Sequence, residues 1–132
     1  YGFSDGGIVG LLLASKYPDK LSKLMISGAN LTPKDIKGRT YRRIRRECKK
    51  NPNLFSTMML NEPDIQPEDL HKIKIPTLVL AGEKDLIKKK VTKKIAENIE
   101  HATLVIVPGE GHGSYIEHSD KLYPLLYSFL NK

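Results

Sequence analysis

The chain opens with residues whose types and spacing could support nucleophilic catalysis. Gly2-Phe3-Ser4-Asp5-Gly6 is a G-x-S-x-G pentapeptide, and a long apolar segment follows it at once. This pattern is typical of a nucleophile elbow, a sharp strand-to-helix turn that presents a serine in a strained backbone conformation. We expect glycine at positions 2 and 6 because side chains there would collide within the turn. Ser4 is therefore a candidate nucleophile.

An aspartate and a histidine follow two predicted strands further along the chain. The run from Thr77 to Ala81 predicts a buried parallel strand, and Asp85 lies in the loop after it. Residues 102–108 predict the next strand, and His112 lies in the Gly-rich turn that follows. The carboxyl ends of parallel strands share one edge of a sheet, so Ser4, Asp85 and His112 should meet there.

The predicted strands and helices alternate, which is typical of a three-layer α/β/α fold. We expect three parallel strands with helices on both faces of the sheet. Pro124 lies inside the last predicted helix and should kink it or shorten its start. Beyond the two strands above, the pattern predicts a helix from Asp5 to Tyr17, a strand from Leu24 to Ser27, a helix from Thr32-Pro33 toward Lys50, an irregular stretch from Asn51 to Gln66, a helix from about Lys88 to Ile99 and a helix over 117–130.

These motifs together resemble the C-terminal half of an α/β-hydrolase. Gly2 to Gly7, Lys16-Tyr17-Pro18 and Ile26 to Asn30 are similar to the valacyclovir-hydrolase-like branch of serine esterases. The order Ser, Asp, His along the chain is also that of α/β-hydrolases. The resemblance implies a partial α/β-hydrolase fold in one domain over residues 1–132, with a short cap-like insertion at about 31–70.

The resemblance also implies roles for the candidate residues. Ser4 would be the nucleophile, His112 the general base and Asp85 the residue that orients the imidazole, as in a serine hydrolase that acts on carboxylic esters or related acyl compounds through an acyl-enzyme. The backbone N–H of Asp5 would donate to the oxyanion. The Asp5 carboxylate has two interpretations: it stabilises a helix N-terminus, or it binds substrates that carry a positive group, such as amino-acid esters.

Three other histidines compete with His112 for the role of the base. His71 and His101 do not follow a predicted strand, and His118 is predicted to be a solvated residue on the last helix. Only His112 lies just past a strand in a Gly-rich turn.

The chain departs from the α/β-hydrolase pattern at its start. The strand that feeds the elbow would end at Tyr1, and no His-Gly-rich loop is present to supply the second oxyanion donor. We therefore expect a fragment, with the strand from Leu24 to Ser27 left with an exposed edge through which the chain self-associates. The alternatives are a truncated hydrolase that is weak or inactive, and a basic binding module.

Composition narrows the function classes further. A hydrophobic content of 39% is enough for a modest core, and no apolar run is long enough for a transmembrane helix. Cys48 is the single cysteine, which excludes an internal disulfide and suits a reducing cytoplasm. No Cys/His cluster has metal-ligand spacing. We predict a small-molecule acyl substrate, no metal and no cofactor.

The net charge of +7 raises the question of a polyanionic partner. Arg42-Arg43-Ile44-Arg45-Arg46 with Lys49-Lys50 is one basic run, and Lys88-Lys89-Lys90 is another. No nucleic-acid motif and no interleaved aromatic residues accompany them. We expect neither a nucleic-acid nor a membrane partner, and interpret the first run as a solvated face of the cap. Weak binding to anionic lipid or phosphate-bearing substrates is the alternative.

Overall fold

The chain forms a parallel sheet with helices on both of its faces. The computed structural model describes all residues from 1 to 132. Two short 3-10 turns, Pro18–Lys20 and Pro33–Asp35, connect some of the main elements. In chain order these elements are β1 (Gly2–Phe3), α1 (Asp5–Lys16), β2 (Leu24–Ser27), α2 (Gly38–Lys50), α3 (Leu54–Asn61), α4 (Pro67–Leu70), β3 (Thr77–Gly82), α5 (Lys89–Glu97), β4 (Ala102–Val107) and α6 (Leu122–Leu130).

The sheet has four strands in the spatial order β1-β2-β3-β4, and every neighbouring pair is parallel. Each connection therefore crosses from one end of the sheet to the other, and all the strands end at the same edge. We expected three strands in this sheet, and the structure has four. A two-residue strand leads into the turn at Ser4, with Gly2 opposite Ile26 and Phe3 opposite Ser27.

Alternation along the central strands divides the core between the two faces of the sheet. Leu24 and Ile26 of β2, with Val79 of β3, belong to the larger cluster, to which α1 and α5 also contribute. Leu78 and Leu80 point the other way and pack with Phe129 of α6. The predicted three-layer arrangement is thereby confirmed.

The segment 31–70 differs from the prediction at its start. We expected one helix from Thr32-Pro33 toward Lys50, but the first turn is a separate 3-10 turn and α2 begins only at Gly38. The Asp35 carboxylate accepts hydrogen bonds from the N–H groups of Leu31 and Thr32, which closes the first turn. Ile36 is then extended and forms an antiparallel bridge with Ile87. This tertiary pairing interrupts the helix.

The stretch from Asn51 to Gln66, predicted to be irregular, contains helix α3. The Asn53 side chain accepts a hydrogen bond of 2.9 Å from the N–H of Ser56, and so caps this helix at its start. Pro52 and Pro63 lie outside the helix and only limit its length. The capping asparagine was the sequence signal that the prediction missed.

The last helix begins at Leu122 rather than at residue 117. Pro124 lies in its first turn, where the missing N–H removes no intrahelical bond. The expectation that Pro124 shortens the start of this helix agrees with the structure. His118 is exposed, as predicted, but it lies before the helix and has a φ of 51°. No helix combines the length and the apolar composition that crossing a membrane requires.

Candidate active site

Ser4 occupies the sharp turn between β1 and α1. Its backbone has φ 56° and ψ −117°, a conformation that is costly for any residue other than glycine. The N–H of Ser4 donates a hydrogen bond of 2.8 Å to the carbonyl of Ser27 on the neighbouring strand, which ties the turn to the sheet. A Cβ at Gly2 would lie 2.1 Å from the carbonyl oxygen of Gly6, so only glycine fits there.

The steric argument for Gly6 was wrong. A Cβ added at Gly6 meets no atom within 4 Å. The close approach falls one residue later, because a Cβ at Gly7 would lie 3.1 Å from Cβ of Ala29 and 3.3 Å from the carbonyl oxygen of Gly2. Gly6 lies in the first turn of α1, and its side of the helix faces open space.

Asp85 lies in the loop that follows β3, at the same edge of the sheet as Ser4. It is only 2% exposed, and its Oδ1 accepts a hydrogen bond of 2.9 Å from the N–H of Ile87. Its Oδ2 is buried and has no hydrogen-bond partner. A buried carboxylate needs polar partners to offset its desolvation. The side chain of His112 supplies the further partner for Oδ1.

His112 joins Asp85 to Ser4. Nδ1 of the imidazole lies 2.7 Å from Oδ1 of Asp85, and Nε2 lies 3.0 Å from Oγ of Ser4. With its proton on Nδ1, the ring donates to the carboxylate and leaves Nε2 free to accept the proton of the serine hydroxyl. The structure thus brings together Ser4, Asp85 and His112, from the ends of three different strands, in one hydrogen-bonded chain.

Two residues that the sequence analysis did not select hold the imidazole in place. Gly28 has φ 62°, and a Cβ there would lie 2.7 Å from Cε1 and 2.9 Å from Nδ1 of His112. The ring of Phe3 lies 4.9 Å from the imidazole, centroid to centroid, and is tilted by 43°. Gly28 comes directly after β2, at the edge where the site was expected, and this position was an available signal.

The loop that carries His112 is fixed by a network of polar contacts. The carboxylate of Glu110 accepts a hydrogen bond of 2.6 Å from the Ser114 hydroxyl and forms an ion pair with Lys121. Ser114 Oγ in turn accepts a hydrogen bond of 2.8 Å from the N–H of Gly111. The contacts with Lys121 and then Ser114 lower the pKa of Glu110. The network closes a turn around His112.

A buried aromatic side chain lies behind the site. Tyr115 is fully buried, and burial raises its pKa to about 12. The nearby Ser27 side chain lowers the pKa of Tyr115 by less than burial raises it. The Tyr115 hydroxyl itself makes no hydrogen bond. Ser27 Oγ instead accepts a hydrogen bond of 3.1 Å from the hydroxyl of Tyr1. Behind the site the chain is therefore packed and largely closed to water.

A cavity of about 380 Å³ opens above Ser4. Its walls come from α1, from the loop after β3 and from α2 and α3 of segment 31–70. An apolar groove of about 280 Å³ adjoins it and shares Asp5, Ile8, Met59 and Glu62 with it. The cavity is lined by Ser4, Asp5, Ile8, Asn30, Ile36, Thr40, Arg43, Ile44, Glu47, Met59, Glu62, Leu86, Ile87 and His112.

Asp5 lines this cavity and has two polar groups without a partner in the chain. Its backbone N–H is the first of helix α1 and donates to no acceptor within the chain. Its carboxylate is exposed and forms no ion pair, and the unpaired carboxylate of Glu62 lines the same cavity and groove. Three carboxylates, those of Asp5, Glu47 and Glu62, therefore line the cavity that contains Ser4, together with the guanidinium of Arg43.

The other histidines lie elsewhere. Nε2 of His71 is 3.0 Å from the Asn98 side chain, and His101 lies beside Glu100 on the surface. No group of His, Cys, Asp and Glu side chains is arranged to hold a metal ion.

Comparisons with known proteins agree with the fold. A family model described as "TAP-like protein", within the α/β-hydrolases, matches residues 37–132, which is most of the chain. Serine hydrolase BPHL of Mus musculus is 27% identical over 154 residues, covering 98% of this chain and 53% of that protein. A proline iminopeptidase of Saccharolobus solfataricus is 31% identical over 97 residues, covering 73% of this chain and 29% of that protein.

A solved structure shows the same architecture. An α/β-hydrolase enzyme from the metagenome of lagoon sediments at Mar Chica superposes with a TM-score of 0.75 at 22% identity. The match covers 98% of this chain and 59% of the other. At this identity the likeness establishes the fold alone.

The fold and the strand-end site define an α/β-hydrolase architecture. With the family match over residues 37–132, the chain belongs to the α/β-hydrolase superfamily. It spans about half the length of the curated relatives that it matches most fully.

Proposed function

We propose that this chain carries the catalytic residues of a serine hydrolase that cleaves carboxylic esters or related acyl compounds. The observation that carries the proposal is the hydrogen-bonded chain from Ser4 Oγ through the His112 imidazole to Asp85 Oδ1, with distances of 3.0 and 2.7 Å. A serine beside a base that is itself oriented by a carboxylate is the arrangement that activates a hydroxyl for attack.

The reaction would proceed in two halves. Ser4 Oγ attacks the acyl carbonyl while Nε2 of His112 takes the hydroxyl proton. The tetrahedral intermediate then collapses, and the leaving alcohol departs with that proton, which leaves an acyl group on Ser4. Water attacks this ester with His112 again as the base, and the carboxylic acid product and the free serine are formed.

Asp85 would hold the imidazole in the tautomer that this cycle needs. Its Oδ1 accepts from Nδ1 of His112, so Nε2 faces Ser4 without a proton in the resting state. When His112 becomes an imidazolium, the buried carboxylate stabilises the new charge at short range. Because the Ile87 N–H fixes the same oxygen, the carboxylate cannot rotate freely.

The backbone N–H of Asp5 would donate to the developing oxyanion. It follows the nucleophile directly and has no competing acceptor. It also lies at the N-terminus of α1, where the helix dipole favours negative charge. Two donors are usual in such sites, and loss of one typically costs roughly a hundred- to a thousand-fold in rate. Asp5 supplies the one donor identified in this chain, so we expect slow turnover by the chain alone.

We propose that segment 31–70 acts as a cap that defines the substrate. Thr40, Arg43 and Glu47 of α2 line the cavity opposite Ser4, and α3 contributes Met59. The Asp5 carboxylate, with that of Glu62 lining the same cavity, would bind a positive group on the substrate, such as the amine of an amino-acid ester. One of the relatives described above is a proline iminopeptidase.

Covalent labelling tests this function without requiring efficient turnover. The purified chain is treated with a fluorophosphonate, which phosphonylates an activated serine, and the adduct is located by mass spectrometry of peptides. We expect one adduct, on Ser4, and none in Ser4→Ala. His112→Ala should slow labelling sharply because the serine loses its base. A folded chain that is not labelled, or that is labelled elsewhere, would refute the assignment and support an inactive hydrolase relative.

A further inference from the structure

The positive charge of the chain is concentrated on helix α2. Between Gly38 and Lys50 this helix carries seven basic residues and one acidic residue, a net charge of +6, against +7 for the whole chain. None of the seven forms a salt bridge, and none of their side chains donates a hydrogen bond. The seven are Arg39, Arg42, Arg43, Arg45, Arg46, Lys49 and Lys50.

Helix α2 presents two different faces. At about 100° per residue, Thr40, Arg43 and Glu47 fall on one side, and they line the cavity above Ser4. The opposite side carries a basic stripe, which we define as Arg42, Arg45, Arg46 and Lys49. These four residues line one shallow concavity at the surface, and no apolar residue contributes to it.

Exposed apolar side chains follow the basic helix. Leu54 and Phe55 open α3 just after α2 ends, and they are 82% and 74% exposed. Exposed apolar residues that follow a helix of unpaired cations along the chain are typical of segments that lie on membranes: the cations contact anionic headgroups and the apolar side chains enter the interface. A second copy of the chain would bring like charges together and is disfavoured.

We propose that this surface, the basic stripe with Leu54 and Phe55, docks on an anionic lipid bilayer. The proposal changes the expectation that the chain has no membrane partner, and it concerns peripheral binding rather than insertion of a helix. The cap would then lie between the lipid surface and Ser4. Substrates that partition into the bilayer would be concentrated beside the cavity. The surface does not depend on the catalytic residues, so the proposal stands apart from the proposed function.

Vesicle co-sedimentation tests it on the whole chain. We expect binding to vesicles of phosphatidylcholine with phosphatidylserine, weaker binding as ionic strength rises, and little binding to phosphatidylcholine alone. Arg42→Glu/Arg45→Glu/Arg46→Glu should lower the partition coefficient at least about a hundredfold, since each basic residue near such a surface contributes about fivefold. Leu54→Ser/Phe55→Ser should remove mainly the binding that persists at high salt.

A matched control variant tests whether binding depends on the position of the basic residues or only on the net charge of the chain. Lys89→Glu/Lys90→Glu/Lys93→Glu makes the same change in net charge on the exposed side of α5 and should retain most of the binding. The milder Arg42→Gln/Arg45→Gln/Arg46→Gln repeats the test if the reversal impairs folding, which circular dichroism reports. Three results would overturn the proposal. The α2 and α5 variants could lose binding equally, or the chain could bind only neutral vesicles. It could also bind RNA under conditions where it does not bind anionic vesicles.

Discussion

A Cβ at Gly28 would lie 2.7 Å from Cε1 of His112, so the imidazole packs directly against the backbone of this glycine. The same position has φ 62°, which other residues adopt only at a cost. Gly28 follows β2 and Ser4 follows β1, and the two strands are hydrogen-bonded neighbours. The sheet thus positions Gly28 and the proposed nucleophile, Ser4, relative to each other.

The first prediction concerns Gly28→Ala. The added methyl should displace the imidazole from Ser4 and lower kcat/KM by about a hundredfold, the order of loss expected for a misplacement near 1 Å. Gly109→Ala is the control, because Gly109 also has a positive φ, of 73°, but has open space around it. Both variants should lose about 1–2 kcal/mol in free energy of unfolding. If both lost activity equally, the contact with His112 would not be the cause.

The second prediction concerns Gly2 and Gly6, the two glycines of the G-x-S-x-G pentapeptide. Gly2→Ala should destabilise the fold by about 1–3 kcal/mol or more, since its Cβ would lie 2.1 Å from a backbone oxygen that cannot move freely. Gly6→Ala should instead stabilise by up to about 1 kcal/mol, because alanine is the better helix former and nothing obstructs it. Urea unfolding measures the change in free energy of unfolding for each variant. Destabilisation by Gly6→Ala would contradict the structure.

These two glycines also mark how far the sequence could predict the site. The strand from Leu24 to Ser27 was predicted with its observed bounds, and the rule that parallel strands end at one edge predicted that Ser4, Asp85 and His112 lie close together. Local patterns sufficed there because burial and alternation determine a central strand. The folded turn decides which glycine of the pentapeptide is sterically required, because it brings the carbonyl oxygen of Gly6 against Gly2 and leaves open space around Gly6. A sequence pattern does not contain this information.

The helix boundaries of segment 31–70 could not be predicted for a similar reason. Ile36 is extended because it pairs with Ile87, which lies 51 positions further along the chain. A local pattern carries no information about such a partner. Helix α3 is a different case, because its cap by Asn53 is local and the flanking prolines obscured it.

The third prediction tests the Asp5 carboxylate. An amino-acid ester should be preferred over the matched ester without the amine, and Asp5→Asn should reduce that preference about fivefold, which is the value of an ion pair near 1 kcal/mol. The neutral ester should be almost unaffected, because the Asp5 N–H remains. Asp19→Asn removes a charge outside the cavity and serves as the control. Equal loss on both esters would assign the effect to the turn rather than to recognition of the amine.

The fourth prediction concerns pH and Tyr115. Burial raises the pKa of this phenol from 10.0 to about 12, so the folded state favours the neutral form. The resulting stability is complete below about pH 10 and is lost as the pH rises toward about 12. Tyr115→Phe should remove this component and flatten the decline in unfolding free energy across that range. Tyr123→Phe, at an exposed tyrosine of α6, should leave the decline unchanged. If the unfolding free energies of the unmodified chain and both variants declined in parallel, groups other than Tyr115 would cause the pH dependence.

The last prediction is that the chain self-associates through the β1 edge and the outer face of α1. Strand β1 has two residues and pairs only with Ile26 and Ser27, so the first half of β2 has a strand neighbour on one side alone. Helix α1 packs against β1 and, with the Tyr17 that follows it, exposes an apolar stripe at four-residue spacing. The exposed fractions of its members are 61% for Val9, 38% for Leu13 and 57% for Tyr17. Unpaired edges and apolar patches of this kind favour association.

Sedimentation velocity over a range of concentrations measures this association. Leu13→Glu/Tyr17→Glu should shift the chain toward monomer, because two carboxylates would have to be buried in the contact. Tyr123→Glu/Tyr127→Glu makes the same charge change, at the same spacing, on an exposed face of α6, and should leave the association intact. A chain that is monomeric at all concentrations, or that responds equally to both pairs, would show that α1 is not the contact.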